Sequence, residues 1–348
     1  MSDKKIRVAI VGASGYTGSD LIRLALRHPN ISIEALTAAT HAGKQIEQVF
    51  PHLSGMGLPP LVTNDEVDWS RIDTVFCGLP HATSQSVIKT LPAHLKIIDM
   101  SADFRLRDTQ TYEETYGNPH TAVELQKEAV YGLSEHYREA IAAARLVACP
   151  GCYPTATLLL LLPLVKQGLI DPSDLIIDAK SGVTGAGRAL KQNTLFSEAG
   201  EGLGPYAVAQ HRHAPEIEQE LSIAAGNSVT VNFTPHLIPM SRGELVTCYA
   251  KLGHGMSAEN CREILQQHYA NDEFIDLSPT GTYPQTQFVR GSNRVMLNAY
   301  ADRIPGRVIL IAALDNLVKG SSGQALQNFN LMSGINETTG LQQVALFP

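Results

Sequence analysis

Residues 6–18 read Ile-Arg-Val-Ala-Ile-Val-Gly-Ala-Ser-Gly-Tyr-Thr-Gly, a short β-branched run followed by three glycines at G-x-x-G-x-x-G spacing. Apolar residues then recur with helical spacing, so the segment predicts a strand, a tight turn and a helix. Glycine permits a close turn, and the free N–H groups of a helix start can hold a pyrophosphate. We therefore expect dinucleotide contacts from Gly12, Ser14, Gly15, Tyr16, Thr17 and Gly18. An ordinary turn with a helix cap is the alternative.

Short apolar runs continue this alternation through the first half of the chain. Strands are predicted at residues 33–36, 74–79 and 96–100, with a helix at 82–91. Strands that alternate with helices are typical of a parallel sheet with crossover helices. We predict an α/β nucleotide-binding domain here.

The end of the second predicted strand bears on the choice of cofactor. An NAD-binding fold usually has a carboxylate there to hold the ribose hydroxyls. This chain instead has Thr37, Thr40 and, further on, Lys44, while Glu34 reads as a solvated strand residue. Hydroxyls and a cation suit the 2′-phosphate of NADP, so we predict NADP(H), with Thr40 as a contact.

After residue 149 strands and helices no longer alternate regularly in the predicted order of elements. One apolar helix at 153–168 precedes strands at 175–179, 229–234, 245–252, 294–301 and 308–314. Several of these strands follow one another without helices, which predicts an antiparallel sheet. The glycine-rich stretches 181–188 and 199–205 are typical of exposed functional loops. A last helix is predicted at 320–332.

The composition narrows the class of protein. The chain has 348 residues, 44% of them hydrophobic, and a net charge of −7, which disfavours broad attraction to nucleic acid or anionic lipid. The apolar run 156–165 is about half the roughly 20 residues that span a bilayer. Five cysteines and no secretory signal before Lys4 favour free thiols in a reducing cytosol.

Cys152 is the first candidate for chemistry. It precedes the apolar helix directly, so the helix dipole and unpaired N–H groups should favour its thiolate and could hold an oxyanion. With Cys149 it also forms a C-x-x-C spacing, so a redox pair or half of a zinc site are alternatives. Cys149 itself reads as buried strand. The other three cysteines, Cys77, Cys248 and Cys261, read as core residues.

Two histidines supply a candidate acid/base for this thiol. His211 and His213 flank Arg212 just after a glycine-rich loop, and in a strand both would face the same side. Histidine can accept and return a proton near neutral pH.

Six motifs in this order resemble the N-acetyl-γ-glutamyl-phosphate reductase family of arginine biosynthesis, over nearly the whole chain. They are residues 12–18, Ser-Ala-Asp-Phe-Arg-Leu at 101–106, Pro-Gly-Cys-Tyr-Pro-Thr at 150–155, Ser-Gly-Val-Thr-Gly-Ala-Gly-Arg at 181–188, His-Arg-His with Pro-Glu-Ile at 211–217, and Asp-Asn-Leu-Val-Lys-Gly at 315–320. Thr184 stands where serine is more usual in the family.

The resemblance implies a fold like that of the aspartate-semialdehyde and glyceraldehyde-3-phosphate dehydrogenases. We expect a Rossmann-type NADP-binding domain at 1–149 and 320–348, with an α+β catalytic and oligomerisation domain at 150–319. A homodimer or homotetramer is implied as well.

The resemblance also implies roles for single residues. Cys152 becomes the nucleophile, and His211 or His213 the acid/base, with His211 favoured. Arg105 would anchor phosphate or carboxylate through its planar fork, where a surface ion pair is its alternative role. We expect cofactor contacts from Gly185 and Asn316, and substrate contacts from Ser181, Gly182 and Arg212. Lys319 could equally be a solvated cation at a helix start.

The reaction implied is reduction of an acyl phosphate to an aldehyde through a thioester on Cys152, with no metal. Phosphate would be met by Arg105 and by the amides of the glycine loop. Three alternatives remain: a sister reductase acting on aspartyl phosphate, a reductase of a carrier-linked glutamyl or aminoadipyl phosphate, and an NADP-sensing redox regulator.

Overall fold

The structure, a computed structural model, describes residues 5–348. Lys4 and the three residues before it, on which the expectation about a secretory signal falls, lie outside the described residues. The chain divides into two compact units. The first unit runs to Pro150 and resumes over Ser321–Gln342, and the second comprises Gly151–Gly320 and Gln343–Pro348.

The position of the C-terminal tail corrects one expected boundary. Residues 343–348 were expected in the first domain but belong to the second unit. The Leu346 N–H donates to the Arg290 carbonyl at 2.8 Å. Phe347 stacks on Phe288 with ring centroids 6.0 Å apart. These contacts hold the tail against residues of the second unit.

The described residues form strands and helices in the following order. The strands are β1 (Ile6–Val11), β2 (Ile31–Thr37), β3 (Leu61–Val62), β4 (Thr74–Cys77), β5 (Lys96–Asp99), β6 (Val130–Tyr131), β7 (Leu146–Ala148), β8 (Ile170–Gly182), β9 (Gly204–Pro205), β10 (Val231–Ile238), β11 (Glu244–Leu252), β12 (Ile275–Leu277), β13 (Val295–Ala301) and β14 (Arg307–Leu314). The helices are α1 (Tyr16–Ala25), α2 (Ser84–Ile88), α3 (Thr109–Tyr116), α4 (Val123–Glu128), α5 (Ser134–Ala143), α6 (Cys152–Lys166), α7 (Phe196–Ala199), α8 (Ala214–Ala225), α9 (Ala258–His268) and α10 (Gly323–Met332).

The first unit, as far as it is described, contains a seven-stranded sheet in the order β3-β2-β1-β4-β5-β7-β6. Every pair in it is parallel, which confirms the predicted sheet. The run from Val8 to Val11 is fully buried because β1 lies near the middle of the sheet. The chain order reverses on either side of β1, and ligands of open parallel sheets bind at such a switch point.

Helix α10 packs within the first unit through polar side chains. The Asn328 amide donates to the Gly132 carbonyl at 2.9 Å, and its oxygen accepts from the Ser134 hydroxyl at 2.7 Å. Asn330 pairs with the ring of His28 at 2.9 Å. The predicted return of the last helix to the first domain is therefore observed.

The second unit contains a mixed seven-stranded sheet in the order β12-β13-β14-β11-β8-β10-β9, as far as the described residues go. The prediction of an antiparallel sheet is wrong at two pairs, because β8 with β10 and β12 with β13 run parallel. The chain between β8 and β10 includes α8, a crossover that parallel pairing requires.

Helix α6 begins at Cys152 and lies in the core of the second unit. Its residues from Tyr153 to Val165 are all buried. A helix that is apolar on every face is stable only when surrounded by protein or lipid. None of the helices described in residues 5–348 is long and apolar enough to cross a membrane.

Candidate active site

The glycine turn of the first unit lies between β1 and α1, as predicted. Gly12 has a φ of +83°, and an added Cβ would lie 2.3 Å from the Gly78 carbonyl oxygen. An added Cβ on Gly18 would lie 2.7 Å from the Gly12 carbonyl oxygen. The protein itself therefore requires glycine at these two positions.

Gly15 differs, because packing within the protein does not exclude a side chain there. The only atom near an added Cβ is the Gly12 carbonyl oxygen, at 3.6 Å. Gly15 is also the N-cap residue of α1, and no side chain caps that helix start. The first-turn N–H groups and the open space above Gly15 fit a pyrophosphate. A dinucleotide thus fits this turn.

The end of β2 carries hydroxyls and no carboxylate. Thr37 is buried, and its hydroxyl donates to the Asn64 side chain at 2.7 Å. Thr40 is exposed beyond it. The Glu34 carboxylate accepts from Ser32 at 2.7 Å and is exposed, as predicted.

Cys152 of the second unit is the first residue of α6, as predicted. It is partly exposed, whereas Cys77, Cys149, Cys248 and Cys261 are buried. No side chain caps this helix start, so its N–H groups and dipole act on the thiol. An added Cβ on Gly320 would lie 2.7 Å from the Cβ of Cys152. Gly320 therefore makes room for the nucleophile candidate.

The residue before the thiol, Gly151, is held by two side chains of the second unit. The fully buried Glu216 carboxylate accepts the Gly151 N–H at 2.9 Å. An added Cβ on Gly151 would lie 2.4 Å from Nε2 of His213. The ring of His213 therefore lies against the backbone next to Cys152.

His211 lies close to His213, but neither residue is in a strand. Both precede α8 in a turn, which corrects the strand expectation, and their ring centroids are 4.7 Å apart. Nδ1 of His211 accepts the backbone N–H of His213 at 3.1 Å. Burial and the charge of Arg212 lower the pKa of His211 to about 4. Near neutral pH the ring is therefore uncharged, with its proton on Nε2.

Aromatic side chains enclose this part of the second unit. Tyr153 contacts His211, His213 and Phe233 edge-on, with centroid distances of 5.7, 5.8 and 5.5 Å. The Tyr206 hydroxyl donates to the Tyr153 hydroxyl at 3.3 Å. Burial raises the pKa of both tyrosines, so they remain neutral donors.

The amides at the start of the glycine loop donate within the protein. The N–H groups of Gly182, Val183 and Thr184 donate to carbonyls of residues 243, 240 and 241 at 2.9, 2.9 and 3.3 Å. The Gly182 amide, expected to contact substrate, is thus paired within the protein in this structure. Ser181 is buried, and its hydroxyl donates to the Gly182 carbonyl at 3.1 Å.

Asn316 fastens this loop. Its oxygen accepts the Gly243 N–H at 2.8 Å, and its amide donates to the Thr184 hydroxyl at 3.0 Å. Thr184 thus accepts a hydrogen bond through its hydroxyl, the group that a serine would also provide. Gly185 is exposed, and an added Cβ would lie 2.9 Å from the Ser181 hydroxyl. Both ends of Asn316 contact protein rather than solvent.

The predicted cations have different surroundings. Arg105 is buried and donates to the carbonyls of Cys149 at 2.8 Å and Met100 at 3.1 Å, so it is not a surface residue. Arg212 is exposed. Lys319 is fully buried, with its ammonium group 5.8 Å from the ring centroid of Phe274, so the solvated alternative is wrong.

Cys149 has the properties of a structural thiol. Burial raises its pKa to about 12, and its sulfur accepts from the Asn328 amide at 3.5 Å. A redox pair needs two reactive thiols, so the C-x-x-C alternative loses support. Among residues 5–348 no group of three or more histidine, cysteine, aspartate or glutamate side chains could hold a metal ion.

Known protein families match both units. Residues 7–144 match the family described as semialdehyde dehydrogenase, NAD binding domain, and residues 152–316 match semialdehyde dehydrogenase, dimerisation domain. A protein of Rhodospirillum rubrum named N-acetyl-gamma-glutamyl-phosphate reductase is 54% identical over 99% of both chains. The chain belongs to the N-acetyl-gamma-glutamyl-phosphate reductase family.

Similar proteins are found in other organisms as well. A probable chloroplastic member of the family from Arabidopsis thaliana is 54% identical over 99% of this chain and 86% of its own length. A member from Afipia carboxidovorans is 50% identical over 99% of both chains. The family resemblance found in the six motifs is thereby confirmed.

Solved structures confirm the fold. Aspartate semialdehyde dehydrogenase II from Vibrio cholerae has a TM-score of 0.72 at 17% identity, covering 95% of this chain and 99% of its own. The aspartate semialdehyde dehydrogenase from Candida albicans has a TM-score of 0.71 at 16% identity, with coverage of 95% and 99%.

Several side chains around the thiol were not singled out by the sequence. Glu216 lay within a quoted motif but had no role. Tyr153 was considered only as a neighbour of Cys152, and Tyr206 lies just after the glycine-rich stretch 199–205. Glu244, fully buried at the start of β11, gave no signal at all. Only spatial contacts connect Tyr206 and Glu244 to this family's candidate nucleophile.

Proposed function

We propose that this chain reduces N-acetyl-L-glutamyl 5-phosphate to N-acetyl-L-glutamate 5-semialdehyde and phosphate, in arginine biosynthesis, with NADPH. The observation that carries the proposal is Cys152, partly exposed at an uncapped helix start and next to a histidine pair. The identity of the substrate is inferred from family membership.

The first step is attack of the Cys152 thiolate on the acyl carbon. The carbon–sulfur bond forms and the carbon–oxygen bond to phosphate breaks, which leaves a thioester. The start of α6 stabilises the thiolate and the developing oxyanion. We propose that His213, which lies against Gly151, accepts the thiol proton.

The second step reduces the thioester. When bound, NADPH supplies a hydride to the thioester carbon. The neutral Nε2–H of His211 is suited to donate a hydrogen bond to the resulting oxyanion. Collapse restores the carbonyl, breaks the carbon–sulfur bond and returns the thiol, with His213 giving back its proton. This division of labour replaces our initial preference for His211 as the base.

The remaining site residues keep proposed roles. Gly12, Gly15 and the start of α1 would hold the pyrophosphate, and Thr40 the 2′-phosphate of NADP. Arg105 and Arg212 are proposed to meet the anionic groups of the substrate. Asn316, which also holds the glycine loop, and Gly185 are proposed to contact the nicotinamide part of the cofactor. Ser181 and Gly185 lie in or beside that loop.

Assembly and location are further parts of this proposal. We propose a homodimer or homotetramer, since one matched family is described as a dimerisation domain. A cytosolic location suits the reduced state that the Cys152 thiol needs for attack.

The reverse reaction tests this function and its alternatives. Semialdehyde, phosphate and NADP are expected to yield NADPH, faster with N-acetylglutamate semialdehyde than with aspartate semialdehyde. Equal or faster turnover of aspartate semialdehyde would favour the sister reductase. Turnover only of a carrier-linked semialdehyde would favour the carrier-dependent enzyme. Nucleotide binding without phosphate-dependent turnover would favour the redox regulator.

A further inference from the structure

Glu244 is a carboxyl group inside the second unit, beside the nucleophile candidate. It begins β11 and pairs in register with Ser181 of β8 and Leu314 of β14. The Cβ position of Gly320 lies 2.7 Å from the Cβ of Cys152 and 3.3 Å from a methyl carbon of Leu314. Gly320 thus lies against both Cys152 and Leu314, and Leu314 pairs with Glu244 in the sheet.

The Glu244 side chain is fully buried and poorly paired. Its exposed fraction is 0%, and neither carboxyl oxygen forms a well-aligned hydrogen bond with any group of residues 5–348. Cys152 is the side chain that interacts with this carboxyl group by hydrogen bonding. A buried carboxylate without donors is costly, so such a group keeps its proton.

The charged and titratable groups that face Glu244 reinforce the neutral form. Asp315, after β14, accepts the Gly291 and Leu317 N–H groups at 2.7 and 2.9 Å and lies 3.5 Å from the Arg242 guanidinium. Burial raises the pKa of Glu244 to about 8, the hydrogen bond with Cys152 opposes this rise, and the charge of Asp315 adds to it. Tyr153 and Tyr206 also lie close enough to interact electrostatically with the carboxyl group.

We propose that Glu244 is a positioning residue for Cys152, which as a neutral carboxylic acid donates its O–H to the thiolate sulfur. This inference rests on the proposed function, in which Cys152 is the nucleophile. The hydrogen bond joins the start of α6 in stabilising the thiolate, without placing a second negative charge beside it. The proton stays on Glu244 throughout, and the proton of the thiol goes to histidine.

A neutral hydrogen-bond donor matters for the thiol because His211 cannot supply a positive charge. That ring is uncharged near neutral pH, so it offers no ion pair. A protonated carboxylic acid in an apolar site is a known way to donate a hydrogen bond at neutral pH.

Alkylation of Cys152 tests the proposal without requiring turnover. The rate of reaction with iodoacetamide, measured against pH, reports the thiolate fraction, and the other four cysteines are buried. In Glu244→Met the donor is lost, and the apparent pKa of the thiol should rise by about 1 to 2 units. In Glu244→Gln an N–H donor remains, and the shift should stay within about half a unit.

A matched control separates this effect from the loss of any buried carboxyl group. Burial raises the pKa of Glu218 as well, but that side chain accepts the Val231 N–H at 3.0 Å and lies on α8. Glu218→Gln should leave the alkylation profile of Cys152 unchanged.

Two outcomes would overturn the proposal: a Glu244→Met profile equal to that of the unaltered chain, or a Glu244→Gln profile shifted as far as that of Glu244→Met. If the Met variant does not fold, infrared spectra decide instead. The unaltered chain should show a protonated-carboxyl band at neutral pH that Glu244→Gln lacks, and absence of this difference would overturn the proposal. None of these results depends on whether the proposed substrate is turned over.

Discussion

The surroundings of Cys152 favour a reactive thiol at this position. Gly320 leaves room for its side chain, and Gly151 leaves room for the ring of His213. The uncapped start of α6 favours its thiolate. Cys149, three residues earlier, has none of these features and a pKa raised to about 12 by burial. The thiol at the helix start and the thiol buried in the core thus differ in their surroundings.

The state of His211 gives a prediction at this scale. Because Nδ1 accepts the His213 N–H and the pKa is lowered to about 4, the ring should stay neutral with its proton on Nε2 down to pH near 5. Nitrogen NMR of histidine-labelled protein, assigned with a His211→Gln variant, measures both the tautomer and the titration. Titration of His211 near its ordinary value of 6.5 would contradict this assignment.

The positions of some residues could be predicted from sequence and those of others could not. The place of Cys152 at a helix start was predictable because the apolar helix begins next to it in the chain. Glu216 contacts Gly151 across 65 residues, and Asn316 contacts Gly243 across 73. No local pattern predicts contacts of that separation. The resemblance implied a cofactor contact for Asn316, but its hydrogen bonds to Gly243 and Thr184 were not predicted.

The strand–turn–helix element at the start of the chain assigns different tasks to its three glycines. Gly12 and Gly18 must be glycine because a side chain would clash with the surrounding backbone. At Gly15 the lack of a side chain instead leaves open space above the helix start for a ligand. The spacing of the motif was visible in the sequence. The division of tasks depends on the Gly78 carbonyl, which lies on another segment.

Alanine substitutions in this element should separate folding from binding. Gly15→Ala should change the free energy of unfolding by no more than about 0.5 kcal/mol while weakening NADPH binding, since its Cβ meets no protein atom closer than 3.6 Å. Gly12→Ala should destabilise the protein by about 1–3 kcal/mol or more, because of its positive φ and its contact with Gly78.

Thermal unfolding and fluorescence titration with NADPH measure the two effects. Normal NADPH affinity in Gly15→Ala would contradict the assignment of this turn to the pyrophosphate.

Elements were predicted more reliably than their pairing. The predicted strands and the helix after Cys152 are present, because apolar periodicity is local. The mixed order of the second sheet was missed, because parallel pairing of β8 with β10 depends on the path of the chain between them. Strand direction in a sheet is a property of connections.

For the whole molecule, buried acids make stability depend on pH. Burial raises the pKa of Asp99 to about 6 and that of Glu244 to about 8, above their ordinary values of 3.8 and 4.5. At any pH between the ordinary pKa and the raised pKa of a group, that group therefore holds its proton more often in the folded chain than in the unfolded chain. Their contribution is fully present below the ordinary pKa and is lost as pH rises through the raised one.

We predict that the midpoint temperature of thermal unfolding decreases as the pH rises from about 5 to 8. In Glu244→Gln this decrease should be smaller. The slope from one proton is at most about 1.4 kcal/mol per pH unit. Differential scanning calorimetry at constant ionic strength measures it. The same slope in Glu244→Gln and in the unaltered chain would contradict a protonated Glu244.

The central claim is that Cys152 carries the acyl group during reduction of an acyl phosphate. Its most direct test is the phosphate-dependent formation of NADPH from N-acetylglutamate semialdehyde and NADP, compared between Cys152→Ser and Cys149→Ser. The account predicts that Cys152→Ser loses about a thousandfold or more in kcat while still binding NADP, and that Cys149→Ser keeps most of its activity. A Cys152→Ser protein that retained most of the activity would contradict the thioester mechanism.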